Sequence, residues 1–393
     1  MNGNLRIGSL FGIPFYVNFS WFLILALITW DYGQQFSAFP GLGAAAWVLG
    51  LGTALLLFAS VLAHELGHSL VAMRQGIPVN SITLFIFGGL ASLGEESKTP
   101  ADAFWVAIAG PLVSLMLFGL LSAVNLFVGL SGPLAAIVSL IAGLNLALAL
   151  FNLLPGLPLD GGNVLKAIVW KITGKPYRGI AFASRAGQVL GWTGIGLGIL
   201  GELGISPVGN IWTLLIGWFL LQNAGRYAQA ASVQEQMSGL TAADATVANS
   251  PIVRADLSLR EFANQHIIGN PVKWKKYFVV NEQGEWIGEI NVEAMNAIPT
   301  NDWWNVAVRE LMQPKKPAET VPASQPLLEV VTLLEQKRLN ELVVLQDNLQ
   351  GNLQGNGALV GLLDRSSIAE LLQRRAEAKT AETTETPAPE PLP

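Results

Sequence analysis

The sequence predicts a multi-pass α-helical membrane domain, with about six transmembrane helices and a short re-entrant β-hairpin, followed by a cytoplasmic α+β region. Three observations lead there. The first is an uneven spread of charge. Residues 1–226 carry 16 Asp, Glu, Lys and Arg, about 7%, and the other 167 residues carry 35, about 21%. A typical soluble domain holds roughly 25%, so only the second part has soluble composition. The second is a set of apolar stretches near the roughly 20 residues that a helix needs to cross a bilayer. They run over Phe15–Trp30, Gly43–Met73, Ala103–Leu130, Gly132–Leu154, Ala186–Leu203 and Val208–Asn223. The third is the placement of cations. Arg6, Arg74, the group Lys166, Lys171, Lys175, Arg178 and Arg185, and Arg226 all fall on one side of the membrane if six spans are counted. The positive-inside rule makes that side the cytoplasm and puts both termini there.

Composition narrows the functions. The 393 residues contain no Cys, which removes thiolate zinc sites, iron–sulfur clusters and cysteine nucleophiles. A net charge of −5 gives no reason to expect nucleic acid. No short apolar segment with a small-residue cleavage site opens the chain, so the first span is expected to act as an uncleaved anchor. The stretch Ile82–Leu93 is apolar but too short to cross, is rich in β-branched and aromatic residues, and breaks at Gly88-Gly89. It is expected as a hairpin or re-entrant loop, with a short interfacial element as the alternative.

The second span ends in Ala63-His64-Glu65-Leu66-Gly67-His68. Histidines at i and i+4 share one helix face and can grip one zinc ion. Glu65, beside His64, is placed to take a proton from water at such a site. Two of the three histidines in the chain belong to this motif, and an ionisable cluster at the end of a membrane helix is costly without a purpose. The bland alternative is a pair of neutral histidines bonded to neighbouring helices. A catalytic zinc takes three protein ligands. The remaining histidine, His266, lies in the distant soluble half, so the third ligand is expected to be a carboxylate. By elimination on the cytoplasmic side Asp160 is favoured, presented by the Pro- and Gly-rich run 151–162 as a turn residue, with Asp102 as the runner-up.

These pieces together resemble the site-2 protease family of intramembrane zinc metalloproteases. The matching segments are AHELGH at 63–68, FGG at 87–89, AGP at 109–111 and NLLPGLPLDGG at 152–162. The resemblance covers about residues 1–226. It implies one Zn2+ per chain held by His64, His68 and Asp160, with Glu65 as catalytic acid/base and Asn152 helping to place the substrate peptide. It also implies regulated intramembrane proteolysis of membrane-anchored proteins, in the plasma membrane. A regulated transporter or channel is the alternative, but the ionisable groups gather at one site and line no pore. A homologue that has lost catalysis and only binds partners is another, against which the intact His64, Glu65, His68 and Asp160 argue.

From residue 240 onward a pattern repeats after 70–80 residues. A helix at Leu257–Gln265, strands at Lys276–Val280 and Trp286–Ile290 and a helix from Val292 to Ala297 are followed by a helix at Pro326–Lys337, strands at Glu341–Gln346 and Ala358–Leu363 and a helix at Arg365–Arg375. This resembles tandem cystathionine-β-synthase (CBS) modules, bounded at 240–300 and 305–375. The subgroup related to the sporulation proteases carries such a pair, which implies a possible homodimer through the modules. CBS pairs often bind adenine nucleotide through an acidic ribose contact, but Ala294 and Ser367 stand near those positions here, with Asp364 close by. The insertion at 346–357 is expected as a flexible hairpin loop and residues 376–393 as a disordered tail.

Overall fold

The computed structural model of the chain describes residues 4–86, 88–247, 249–268, 270, 272–314, 320–347 and 358–384. The chain forms two compact units, Met1–Ser232 and Val233–Pro393.

The first unit opens with β1 (Asn4–Leu10) and β2 (Ile13–Asn18), which pair antiparallel. Residues Phe15–Asn18, expected at the start of the first span, are therefore strand. Ile13, Phe15 and Val17 alternate inward and are all buried, a period of two that a helix cannot satisfy. Helix α1 (Phe19–Ser37) begins just after, with Asn18 capping it through a bond from the Ser20 N–H. Next come α2 (Ala45–Arg74), β3 (Val79–Phe85) and β4 (Gly88–Leu93). Strand β3 pairs parallel with β2 and antiparallel with β4, giving the order β1-β2-β3-β4 with β4 at one edge. The hairpin segment is thus part of a four-stranded sheet, and Ile82, fully buried, packs with Ile13 and Phe15 at its centre.

Helices α3 (Pro100–Val128), α4 (Gly132–Asn152), α5 (Asp160–Thr173), α6 (Pro176–Glu202) and α7 (Ile211–Met237) complete the unit. Among the described residues, α2, α3 and α4 are long and apolar enough to cross a membrane. The other expected spans overlap α1, α6 and α7. Helix α5 occupies the cation-bearing stretch that was expected only as a connection. Its apolar residues recur at helical spacing, and Gly174 in the left-handed conformation ends it.

The second unit holds two modules of like topology. In one, β5 (Ile252–Arg254) lies parallel to β6 (Lys276–Val280), which pairs antiparallel with β7 (Trp286–Asn291). Between β5 and β6 stand α8 (Leu259–Phe262) and a π-helical turn, Ala263–Ile267, where one regular helix was expected. The Ser258–Glu261 capping box starts α8. Val292–Ala297 forms a 3-10 helix, and after α9 (Val308–Leu311) the short β8 (Gln313–Pro314) joins β7. In the other module β9 (Thr320–Pro322) lies parallel to β10 (Glu341–Leu345), which pairs antiparallel with β11 (Leu359–Asp364). Helices α10 (Leu327–Gln336) and α11 (Arg365–Thr384) flank this sheet.

The modules exchange their leading segments across the expected boundary between 300 and 305. Met237, Ala242 and Ala245 pack with Val321, Leu327, Leu342 and Leu363 in the core of the second module. Backbone bonds from Ala242 to Gln325 (2.8 Å) and from Val247 to Leu362 (2.8 Å) hold this segment there. Conversely, Val308 sits in the core of the first module with Leu259, Phe262 and Tyr277. Each segment follows the core that its apolar residues can complete.

Helix α11 also runs through 376–384, where a disordered tail was expected. Ala376, Glu377, Ala378 and Lys379 are strong helix formers that extend it. Residues 385–393, and residues 348–357 of the expected flexible loop, lie outside the described residues.

Candidate metal centre

Helix α2 brings His64 and His68 onto its buried face one turn apart. Their Nε2 atoms lie 3.3 Å from each other. Asp160 is the first residue of α5 rather than a free turn residue. Its Oδ2 lies 3.1 Å from His64 Nε2 and 3.3 Å from His68 Nε2. The connection from α4 must be tight to achieve this. A Cβ at Gly161 would overlap the Leu153 carbonyl, and one at Gly162 would overlap the backbone of Gly156. Two consecutive glycines therefore let α5 start directly against the end of α4.

Helix α3 lies against the two imidazoles. Val106, Gly110 and Ser114 stand at i, i+4 and i+8 and so share one face. His68 Nδ1 lies 2.6 Å from the Val106 carbonyl, and His64 Nδ1 lies 2.9 Å from Ser114 Oγ. A Cβ at Gly110 would overlap His68 Nε2 and stand 2.7 Å from His64 Nε2. The backbone there approaches the site as closely as a glycine permits.

Glu65 points from α2 towards strand β4. Its carboxylate accepts a hydrogen bond from the Ala91 N–H, and a Cβ at Gly89 would stand 2.5 Å from its Cγ. Asn152 ends α4, half-buried, eight residues before Asp160. Among the described residues, no hydrogen bond ties its side chain to His64, Glu65, His68 or Asp160. Asp102, the alternative third ligand, stands instead in the first turn of α3, where its carboxylate accepts from Oγ1 of the N-cap Thr99 at 2.7 Å.

The residues present fit a zinc ion. His64, His68 and Asp160 form the group among the described residues whose ligand atoms converge. Tetrahedral zinc with nitrogen and oxygen ligands at 2.0–2.1 Å separates them by about 3.3 Å, which matches the observed 3.1, 3.3 and 3.3 Å. Both Nδ1 atoms are engaged elsewhere, so both Nε2 atoms face one point. Ser114 and the Val106 carbonyl are the parts that reasoning from the residues missed; Gly110 lies in the AGP segment matched at 109–111, with no role given to it there.

The second unit has a cavity of about 480 Å3 lined by Thr246, Ser250, His266, Asn270, Trp274 and Tyr277 among others. Partial burial pushes the His266 imidazole below its ordinary value. Neither Ala294 nor Ser367 lines this cavity, and no carboxylate does among the described residues.

Comparison with known proteins places the chain in a family. A model of peptidase family M50 matches residues 52–132 and 130–193. A Synechocystis sp. protein named as a zinc metalloprotease, sll0528, is 56% identical over 377 residues, covering 96% of this chain and 97% of that one. The zinc metalloprotease Rip3 of Mycobacterium tuberculosis is 32% identical over 378 residues, covering 95% and 93%. Among solved structures, the site-2 protease from Methanocaldococcus jannaschii aligns with 57% of this chain and 95% of its own, at 29% identity and a TM-score of 0.42. The relatives thus share nearly the whole length of a chain that carries an H-E-x-x-H helix and a converging aspartate, and the chain belongs to peptidase family M50, as a zinc metallopeptidase.

Proposed function

We propose that the chain is an intramembrane endopeptidase that cuts membrane-anchored proteins in or beside their transmembrane segments, in regulated intramembrane proteolysis. His64, His68 and Asp160 hold the zinc, Glu65 is the acid/base, and Asn152 helps to place the substrate backbone. The observation that carries this reading is the convergence of two imidazole Nε2 atoms and one carboxylate oxygen at the spacing of a metal's coordination edge.

Zinc, when bound, supplies Lewis acidity to a substrate carbonyl and acidifies water. Everything else is the work of the chain. Glu65 accepts a proton from the attacking water and delivers it to the leaving amine. The Asn152 amide donates to the substrate backbone. Strand β4, at the sheet edge beside Glu65, offers main-chain groups to an unwound substrate segment. A transmembrane helix resists cleavage because its carbonyls are bonded within it, so pairing with such an edge compensates local unwinding. The reading puts the β3–β4 hairpin at membrane depth as a re-entrant element, where buried backbone is tolerated against protein.

The chain spans the membrane six times with both termini in the cytoplasm, and the plasma membrane is its location. The second unit is a CBS pair, a reading supported by its repeated parallel-then-antiparallel three-strand order. It regulates the protease and forms the contact for a homodimer. Its cavity, without a lining carboxylate among the described residues, gives an adenine nucleotide no ribose contact of the expected kind.

The test is cleavage of a single-span substrate by the purified chain in lipid. Glu65→Gln keeps its zinc and loses at least the 10²–10⁴-fold attributable to a positioned acid/base. Unaltered cleavage by that variant would remove Glu65 from the mechanism, and failure of wild type to cut any single-span protein that accumulates with the variant would sink the endopeptidase reading.

A further inference from the structure

We propose that Ser114 is a positioning residue of the metal centre: its hydroxyl accepts the Nδ1–H of His64 and so leaves the Nε2 lone pair of that ring free for the cation. The inference rests on the reading of His64, His68 and Asp160 as zinc ligands.

A neutral imidazole has one N–H, and whichever nitrogen carries it cannot bind metal. For His68 the choice is already made. Its Nδ1 lies 2.6 Å from the Val106 carbonyl, which can only accept, so the proton is on Nδ1 and Nε2 is bare. For His64 the partner is a hydroxyl, which can give or take. If Ser114 gave its proton to Nδ1, the His64 proton would sit on Nε2, in the gap shared with Asp160 Oδ2 and His68 Nε2. That proton would stand where the cation belongs. The contact with His64 is the hydrogen bond of the Ser114 side chain; a helical serine can also turn its hydrogen to the carbonyl one turn back, and that rotamer would leave the Oγ lone pairs for His64.

Ser114 is fully buried, so no solvent competes for either role. Its position along α3 suits this role. Val106 and Ser114 flank Gly110 by one turn on each side, and the two rings they hold are one turn apart on α2. One face of α3 thus serves both histidines, with a carbonyl at one end, a hydroxyl at the other, and a bare backbone between them where a cation would sit. Outer partners of this kind fix ring orientation and tautomer, and their loss weakens metal affinity about 10- to 100-fold.

Threonine and valine differ at this position only by a hydroxyl against a methyl, so their comparison cancels shape. The full chain is purified in detergent as wild type, Ser114→Thr, Ser114→Val and Ser114→Ala. Each is stripped and titrated with zinc against a chelator of known affinity, after monodispersity and helix content are checked. The expected order is serine and threonine together, with valine and alanine about 10- to 100-fold weaker. Equal affinity of the threonine and valine variants, at any level, overturns the proposal. A wild type that takes up no zinc overturns the ligand reading and this one with it, which separates the two failures.

Discussion

Gly110 has no space for any side chain, because its Cα faces the point at which both Nε2 atoms aim. Gly110→Ala should abolish stoichiometric zinc binding while α3 still forms, since alanine is the better helix residue by about 1 kcal/mol. Zinc content of the purified variant, read beside its helix content, checks this. At this scale the sequence disclosed the groups that lie close along the chain. His64, Glu65 and His68 occupy little more than one turn, and the common face of the two histidines follows from helix geometry alone. Asp160 is 92 residues beyond His68, and it stood out through the scarcity of carboxylates in an apolar half and through the Pro- and Gly-rich segment that carries it. Ser114 and the Val106 carbonyl were not legible. A serine among apolar residues has no pattern of its own, and every residue has a carbonyl; what distinguishes these two is the packing of α3 on α2.

Strand β4 is the element that joins the metal centre to the sheet. The Ala91 N–H bonds to Glu65 and so does not serve the ladder with β3, which means that a proline there leaves the β3 pairing in place. Ala91→Pro is expected to lower cleavage at least tenfold with zinc still bound. Retained cleavage would deny the strand edge a part in holding substrate. The hairpin itself was readable from its β-branched residues and the glycine break. The rest of the sheet was not: β2 meets β3 across sixty residues of intervening chain, and β1 is exposed along its whole length, with no burial pattern to read. The start of the first apolar stretch passed for helix because Phe15 and Val17 suit a membrane span as well as a buried strand.

At the scale of the whole molecule, the proposed zinc ligands come from α2 and α5, so one ion would tie together helices separated along the chain by β3, β4, α3 and α4. Removing it should loosen the first unit. With free zinc at a hundred times its dissociation constant, binding adds about 2.7 kcal/mol to the folded state. Chelation is therefore expected to lower the unfolding temperature of the wild type and to leave a His64→Ala variant unmoved; thermal unfolding in detergent, with and without chelator, decides it. The division into an apolar and a charged half was plain from composition, and the repeat in the second half was plain from its recurring strands. The exchange of segments was hidden, because neighbours in sequence are the default partners and here the chain skips them.

That exchange makes the second unit resistant to dissection. A cut in the linker between β8 and β9 would not yield two working halves: the fragment with the first module would carry Met237, Ala242 and Ala245 away from the interior they complete, and the other fragment would be left with a hole. On the ribosome, likewise, the stretch that follows α7 must wait until β11 has been made before it finds its place. The two modules read as separate units along the chain and are inseparable in the finished protein.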